Sequence, residues 1–522
     1  RKVAGKRYAF STDTEIYLYD IESGTCTHIA TGGGYDTDPV WSPDGSKLCW
    51  VSMERDGYEA DRQRLMVTSV NWKESRENGV PARRPELGEI IEISKGFKYN
   101  VTSPVWDSNT GSIYFSSLAE GIQGVFKAFN ENGSWRIERI TGEDLWYDFN
   151  SPFHIAEKEG QEKLLTTFSS MDFPTEMAEI TVGANAAGTE YGCELEHSKS
   201  IKADCPVTEK SVCIRQISDI NSKLLAKLAK PQTEARYIRT ADGKNMLTWV
   251  VYPPEFDKTK KYPSILICLG GPQGTLSQGW SYRWNYRLMA SQGYVTVLPN
   301  RHGTTAFGQE WTEQISGDYC GLNMDDYLRA ARSIKAEPFT GKMAACGASY
   351  GGYSVYNLCG IHGDVFDAFI AHAGIFNQEH MYMTTEELWF PNWDNGGLEE
   401  CKIDSSVGTA SAPVGPAGDG KTFGGILQGG SPWSEVPAAK RHYANSPHKK
   451  VTDWHTPLLV MHGAMDFRVP LEQGMAAYNA AQLMGVPSRL IVFPEENHWI
   501  LKPQNALYWH REYFRWLDRW CK

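Results

Sequence analysis

The run Gly347-Ala348-Ser349-Tyr350-Gly351-Gly352 constrains the fold of this chain more than any other feature. It follows a stretch of small apolar residues, Met343–Cys346, and leads into Tyr353-Ser354-Val355-Tyr356. A serine with glycine two positions away on either side suits a tight strand-to-helix turn. There only small neighbours let the backbone pass closely, and the hydroxyl stands out at the tip. A glycine-rich turn with an ordinary serine spells the same letters, so the surrounding pattern has to decide.

That pattern changes once along the 522 residues, a length that calls for two domains. The first part has short alternating strands such as Glu15-Ile16-Tyr17-Leu18-Tyr19-Asp20, broken by Gly, Asp and Asn turns. Asp38-Pro39-Val40-Trp41-Ser42-Pro43-Asp44-Gly45 recurs as Ser103-Pro104-Val105-Trp106-Asp107-Ser108-Asn109-Thr110-Gly111, and Ser151-Pro152-Phe153 reads as a degraded third copy. Their separations, 65 and 48 residues, are of the order of propeller blades of about 40–50 residues with insertions. Residues 1–230 are therefore expected to form an all-β propeller or part of one, with length for about four or five blades. A full ring would need further blades ahead of Arg1. With no methionine or apolar leader at Arg1, a targeting segment is expected to have been removed or to lie outside this sequence.

From residue 231 to 522 the texture is α/β. Ile238 to Tyr252 reads as a hairpin turning at Asp242-Gly243. Strands Ser264–Leu269, Tyr294–Leu298 and Pro457–His462 then alternate with helices Met324–Ile334 and Leu471–Met484, which predicts a largely parallel sheet flanked by helices. Two segments interrupt, Gly183 to about Val212 and the Gly-, Ala-, Ser- and Pro-rich Cys401 to about Ala439; both read as long surface excursions.

In this arrangement the serine finds its partners. A serine hydroxyl needs a histidine base oriented by a carboxylate, and in the α/β-hydrolase order both follow it, acid first. Leu458-Leu459-Val460-Met461-His462-Gly463 is a strand whose turn carries Asp466, and Arg489–Phe493 is a strand followed by Pro494-Glu495-Glu496-Asn497-His498. Both residues fall just past a strand's C-terminal end, where α/β sheets build their sites. Ser349, Asp466 and His498 are thus the expected catalytic triad. His462 precedes the acid and is read as structural, and Glu495 and Glu496 as solvated loop charges. For the oxyanion, the N–H of Tyr350 and, from Gly270-Gly271-Pro272-Gln273-Gly274, that of Gly271 are expected donors.

Composition excludes several alternatives. There is no apolar run of membrane-spanning length. A net charge of -11 opposes nucleic-acid binding. Eleven cysteines without CxxC pairs indicate neither a zinc ribbon nor a dense disulfide framework; a Cys193–Cys205 pair is left open. Gly415-Pro416-Ala417-Gly418-Asp419-Gly420-Lys421-Thr422 matches a P-loop by letter, but no strand precedes it and no helix follows. No metal and no cofactor are expected.

With these motifs placed, residues from about 235 to 522 resemble the prolyl oligopeptidase family (S9) of serine peptidases, in its dipeptidyl-peptidase 5 and acylaminoacyl-peptidase branch. The resemblance rests on Gly270-Gly271-Pro272, Asn300-Arg301-His302-Gly303-Thr304-Thr305-Ala306-Phe307-Gly308, Gly347–Tyr353, Ala444-Asn445-Ser446-Pro447, Asp466 through Pro470, and Asn497-His498. It implies a propeller capping an α/β-hydrolase domain, peptide substrates, release of N-terminal dipeptides through an acyl-enzyme, and a periplasmic or secreted location; the residues leave a cytoplasmic one and a homodimer open. Departures are His302 where the family has Gly more often, Ala464 before the acid, the long 401–439 insertion and a propeller short of seven blades. A dipeptidyl peptidase must hold a free ammonium. Glu54 and Glu59, in the charge-dense loop Ser52–Arg62, are candidates for it, and Trp389, Phe390 and Trp393 for the pocket of the P1 residue. An acylaminoacyl-peptidase, a small-ester hydrolase, and a propeller interaction module with an idle hydrolase domain are the alternatives.

Overall fold

The three repeat copies share one backbone irregularity in the computed structural model. Asp38, Ser103 and Ser151, each followed by proline, have φ of 52°, 51° and 43°. At each, the strand slips against its partner, between Thr37 and Val40, Thr102 and Val105, and Asn150 and His154. Proline has no N–H for a ladder, so it sits where a bulge leaves that position unpaired. The bulged strands Tyr35–Trp41, Thr102–Trp106 and Asp148–Lys158 each open an antiparallel sheet whose main strands pair in chain order, the meander of a propeller blade. The hairpin Ile16–Tyr19 with Cys26–Ile29 precedes them. Apolar faces bury Val51, Val67, Phe115 and Phe126 in one cluster and Phe149, Phe168 and Ile180 in another.

The residues described are 11–29, 34–77, 80–107, 111–142, 145–158, 161–183, 212–396, 422–423, 426–427 and 430–522. Cys193, Cys205, the P-loop-like run up to Lys421 and most of 401–439 lie outside them. The excursion after Gly183 is bracketed by paired strands, Phe173–Val182 and Val212–Gln216. The end of the later insertion is not a surface excursion: Ser431 and Ala439 are fully buried, and Tyr443 Oη donates to the Gly430 carbonyl. The chain divides into two compact units. The first comprises Arg1–Leu228, Ser277–Trp280 and Ala306–Gln309, and the second Ala229–Leu276, Ser281–Thr305 and Glu310–Lys522.

The second unit is built on one eight-stranded sheet: β1 (Gln232–Arg239), β2 (Asn245–Tyr252), β3 (Tyr262–Cys268), β4 (Val295–Pro299), β5 (Thr340–Ala348), β6 (Ala368–His372), β7 (Leu458–Gly463) and β8 (Ser488–Phe493). The spatial order is β1-β2-β4-β3-β5-β6-β7-β8. β1 and β2 are antiparallel, the expected hairpin, β2 is also antiparallel to β4, and β3 to β8 run parallel to one another. The central strands are buried over almost their whole length, as a sheet covered on both faces requires. The helices against it include α1 (Leu322–Lys335), α2 (Tyr350–Ile361), α5 (Leu471–Leu483) and α6 (Pro503–Cys521). Helix α6 buries Trp509, Tyr513, Trp516 and Leu517, an i, i+4, i+7, i+8 stripe. Two shorter helices, α3 (Gln378–Thr384) and α4 (Trp389–Gly396), follow β6. This is an α/β-hydrolase fold.

Candidate active site

Strand β5 runs into α2 through Ser349, whose φ of 60° and ψ of -123° are unusual for a residue with a side chain. The flanking glycines make the turn passable. A Cβ on Gly347 would lie 2.5 Å from the Gly351 carbonyl oxygen, one on Gly351 2.2 Å from that of Cys268, and one on Gly352 2.4 Å from Gly374 Cα. All three obstacles are backbone, which cannot swing aside. The Ser349 N–H donates to the His372 carbonyl at 3.0 Å, which pins the turn to the end of β6.

Asp466, in the turn after β7, is buried and has both carboxylate oxygens occupied. Oδ1 accepts from the N–H of Arg468 at 3.0 Å and of Val469 at 2.9 Å, and Oδ2 meets His498 Nδ1 at 2.6 Å. Burial pushes the Asp466 carboxyl up, but the contacts from His462, His498 and the Val469 N–H outweigh it and hold the group well below the usual carboxylate range. His462 comes within 3.5 Å of the same carboxylate, yet its Nε2 meets the Val469 carbonyl at 2.7 Å, so it braces the turn. Nδ1 of His498 is thus engaged by the Asp466 carboxylate. The Ser349 hydroxyl enters no hydrogen bond among the described residues; nucleophile–base contacts commonly close only with substrate in place.

Ser349, Tyr350 and Gly271 line one cleft. Gly271 has a φ of 128°, and a Cβ there would sit 2.8 Å from the Gln273 nitrogen. Its loop is clamped by Arg301, which is fully buried: Nη2 donates to the carbonyls of Pro272 at 2.7 Å and Leu269 at 3.3 Å. His302 is accommodated next to it between Asp326, at 2.6 Å, and Asp242, at 3.3 Å, and stacks on Trp311. The remaining walls include Ile375, Met381, Phe390, Pro391 and Val469, with Gln378, Glu387 and Asn395 as polar members.

Of the aromatic stretch on α4, Phe390 lines the cleft, and Trp389 and Trp393 are not among its lining residues. Spacing explains the split. Positions four apart share a helix face, and Trp393 on that face is 4% exposed and part of the core. Glu54 is exposed on the first unit, with Arg64 at 3.7 Å, and Glu59 is exposed as well. Their loop folds around Asp61, which accepts from the N–H groups of Glu54 and Arg55, both at 2.8 Å. Sequence reasoning passed over Glu387, Gln378 and His372. It also placed Glu496 in solvent, whereas Glu496 is 3% exposed and accepts from the N–H groups of Leu501 and Lys502, closing the loop around His498. Among the described residues no group of three or more His, Cys, Asp or Glu could hold a metal ion, and no helix is long and apolar enough to cross a membrane.

The second unit thus has the fold of an α/β-hydrolase domain, with Ser349 on its strand-to-helix turn. Residues 280–410 and 425–522 match the model of the prolyl oligopeptidase family. Over its full length it is 42% identical to dipeptidyl-peptidase 5 of Porphyromonas gingivalis and 40% identical to dipeptidyl-peptidase 5 of Porphyromonas endodontalis. It spans 65% and 64% of the length of these relatives. An acylaminoacyl peptidase of Pyrococcus horikoshii superposes with a TM-score of 0.63 at 16% identity, over 98% of this chain and 75% of its own. A protein described as a dipeptidyl aminopeptidase IV from Bacteroides ovatus superposes with a TM-score of 0.61 at 13% identity, over 97% and 69%. These likenesses establish a shared fold, a β-propeller joined to an α/β-hydrolase domain.

Proposed function

We propose that this chain is a serine dipeptidyl peptidase, with residues 1–230 as its propeller part and 231–522 as its catalytic domain. Ser349 Oγ attacks the carbonyl carbon of the second residue and passes its proton to His498 Nε2, while Asp466 holds the imidazole in the accepting tautomer. The N–H groups of Tyr350 and Gly271 receive the oxyanion, each a donor of the kind whose loss costs about 10²–10³-fold in kcat. His498 then protonates the leaving amine as the C–N bond breaks, and water releases the dipeptide from Ser349. No cofactor takes part. The observation that carries this reading is the strained serine lining a cleft, with a carboxylate-bound histidine on a neighbouring loop.

The substrate follows from the relatives' name and from the cleft. Its apolar walls suit an uncharged P1 side chain held against Phe390, Met381 and Ile375. Glu387 supplies a carboxylate in the same cleft, and Glu54 and Glu59 remain candidates on the first unit for the substrate's ammonium. The test pairs a fluorophosphonate probe with free and N-acetylated dipeptidyl substrates. Ser349→Ala should abolish labelling and turnover, and the free-amine substrate should be preferred. Preference for the acetylated form would make the chain an acylaminoacyl-peptidase, and turnover of esters alone a small-ester hydrolase. Absence of labelling in the unsubstituted protein would leave an interaction module with an idle hydrolase domain.

A further inference from the structure

β6 supplies no member of the triad, yet its last residue, His372, touches two of the triad's segments. Its carbonyl accepts the Ser349 N–H at 3.0 Å, and its side-chain Nε2 lies 3.3 Å from the His498 carbonyl. The imidazole is 3% exposed, and Trp509 Nε1 on α6 approaches its Nδ1 at 3.2 Å. The proton positions follow from the partners. An indole nitrogen can only donate, so Nδ1 must accept; the imidazole proton then sits on Nε2 and is donated to the His498 carbonyl. Burial first, and then the neighbouring His462 and His498, push the His372 imidazole down to about 3, so it stays neutral through the working range of a serine hydrolase.

We infer that His372 is a positioning residue that keys the nucleophile turn to the loop of the base. One rigid residue at the end of a buried strand fixes the Ser349 backbone through its main chain and the His498 backbone through its side chain. The separation between Oγ and Nε2 is thereby set from a single point. Proton transfer tolerates little error here, since a displacement of 1 Å can cost about 10²-fold in rate. The inference rests on Ser349 and His498 being nucleophile and base, and not on the substrate.

The test measures the rate of fluorophosphonate labelling, kcat and KM for a nitrophenyl ester, and the downfield proton resonance of the His498–Asp466 pair. His372→Ala should slow labelling and lower kcat by about 10- to 100-fold with KM changed less than twofold. It should also broaden or move the downfield resonance. His372→Gln, with one donor and one acceptor, should recover a large part of kcat. Trp509→Phe leaves the imidazole in place but frees its tautomer, and should give a smaller loss of kcat in a folded protein. If His372→Ala labels as fast as the unsubstituted enzyme, or if it and Trp509→Phe change only thermal stability, the inference is overturned. If the unsubstituted enzyme itself fails to label at Ser349, the triad reading falls instead.

Discussion

Asp466→Asn isolates the acid's role, because the structure dictates how the amide must sit. The backbone N–H groups of Arg468 and Val469 both donate to Oδ1, at 3.0 and 2.9 Å, so the amide oxygen has to occupy that site. The NH2 then replaces Oδ2, 2.6 Å from His498 Nδ1. An amide nitrogen can only donate, so Nδ1 must accept and the imidazole proton moves to Nε2. An Nε2–H cannot take the proton of Ser349. The expected loss is about 10⁴-fold in kcat, equivalent to about 5 kcal/mol of transition-state stabilisation, with KM and fold preserved. The substitution should also change acid stability. The folded carboxyl titrates below its ordinary value of 3.8, so its contribution is present above that value and lost as pH falls; the asparagine variant should lack this component. The assay is stopped-flow ester hydrolysis beside thermal melts. A loss of less than tenfold in kcat, in a protein that melts normally, would falsify the assignment of Asp466 as the orienting acid.

Three further outcomes are expected. His462→Ala should lower thermal stability, because a buried imidazole leaves the Val469 carbonyl, yet retain most of kcat per folded molecule, whereas His498→Ala should be inactive; the reverse pattern would exchange their roles. Glu387→Gln, Glu54→Gln and Glu59→Gln, compared on free-amine dipeptidyl substrates and nitrophenyl esters, should include one that loses at least about tenfold in kcat/KM on the former alone. Parallel losses on both substrates would assign that residue to structure, and no loss in any would place the ammonium elsewhere. Asp148, in the first unit, is pushed up to about 6 by burial despite hydrogen bonds from the Gln123 N–H and Ser277. Its folded value exceeds the ordinary 3.8, so stability is full below that value and falls as pH rises through about 6, by about 3 kcal/mol. Asp148→Asn should flatten that slope in urea melts at about pH 4 and about pH 8, and an unchanged slope would refute the account.

Chain order made much of this fold legible. The serine turn was readable because close backbone approach leaves only glycine at 347, 351 and 352. The acid and the histidine were readable because each follows an apolar run that could only be a strand. The repeat was readable even in its third copy, since Ser151-Pro152 keeps the bulge after Trp and Gly have gone. Contacts between side chains far apart in sequence were not readable. Trp509 and His372 are 137 positions apart, and no local pattern joins them. Glu496 looks like any loop glutamate until the N–H groups of Leu501 and Lys502 are seen to turn back onto it. The α4 aromatics show the same limit, since composition suggested three pocket residues and helix phase admitted one.

The strain at Ser349 raises the question of what holds it, since a backbone in such a region costs about 1–3 kcal/mol and persists only where its surroundings over-determine it. The answer lies at the end of β6. Ser349 N–H bonds to the His372 carbonyl, and the next residue, Ala373, itself at a φ of 44°, donates its N–H to Met461 on β7 at 2.9 Å. Gly374 comes so close to α2 that a Cβ would meet Tyr356 at 2.7 Å and Gly352 at 2.9 Å. Three successive residues therefore tie the Ser349 turn, the strand leading to Asp466 and the first turn of α2 into one backbone lattice. The His372 side chain extends that lattice to the His498 loop. The strained serine is then a property of four neighbouring strand ends, which is why the pattern around Gly347–Gly352 carries information that the motif alone does not.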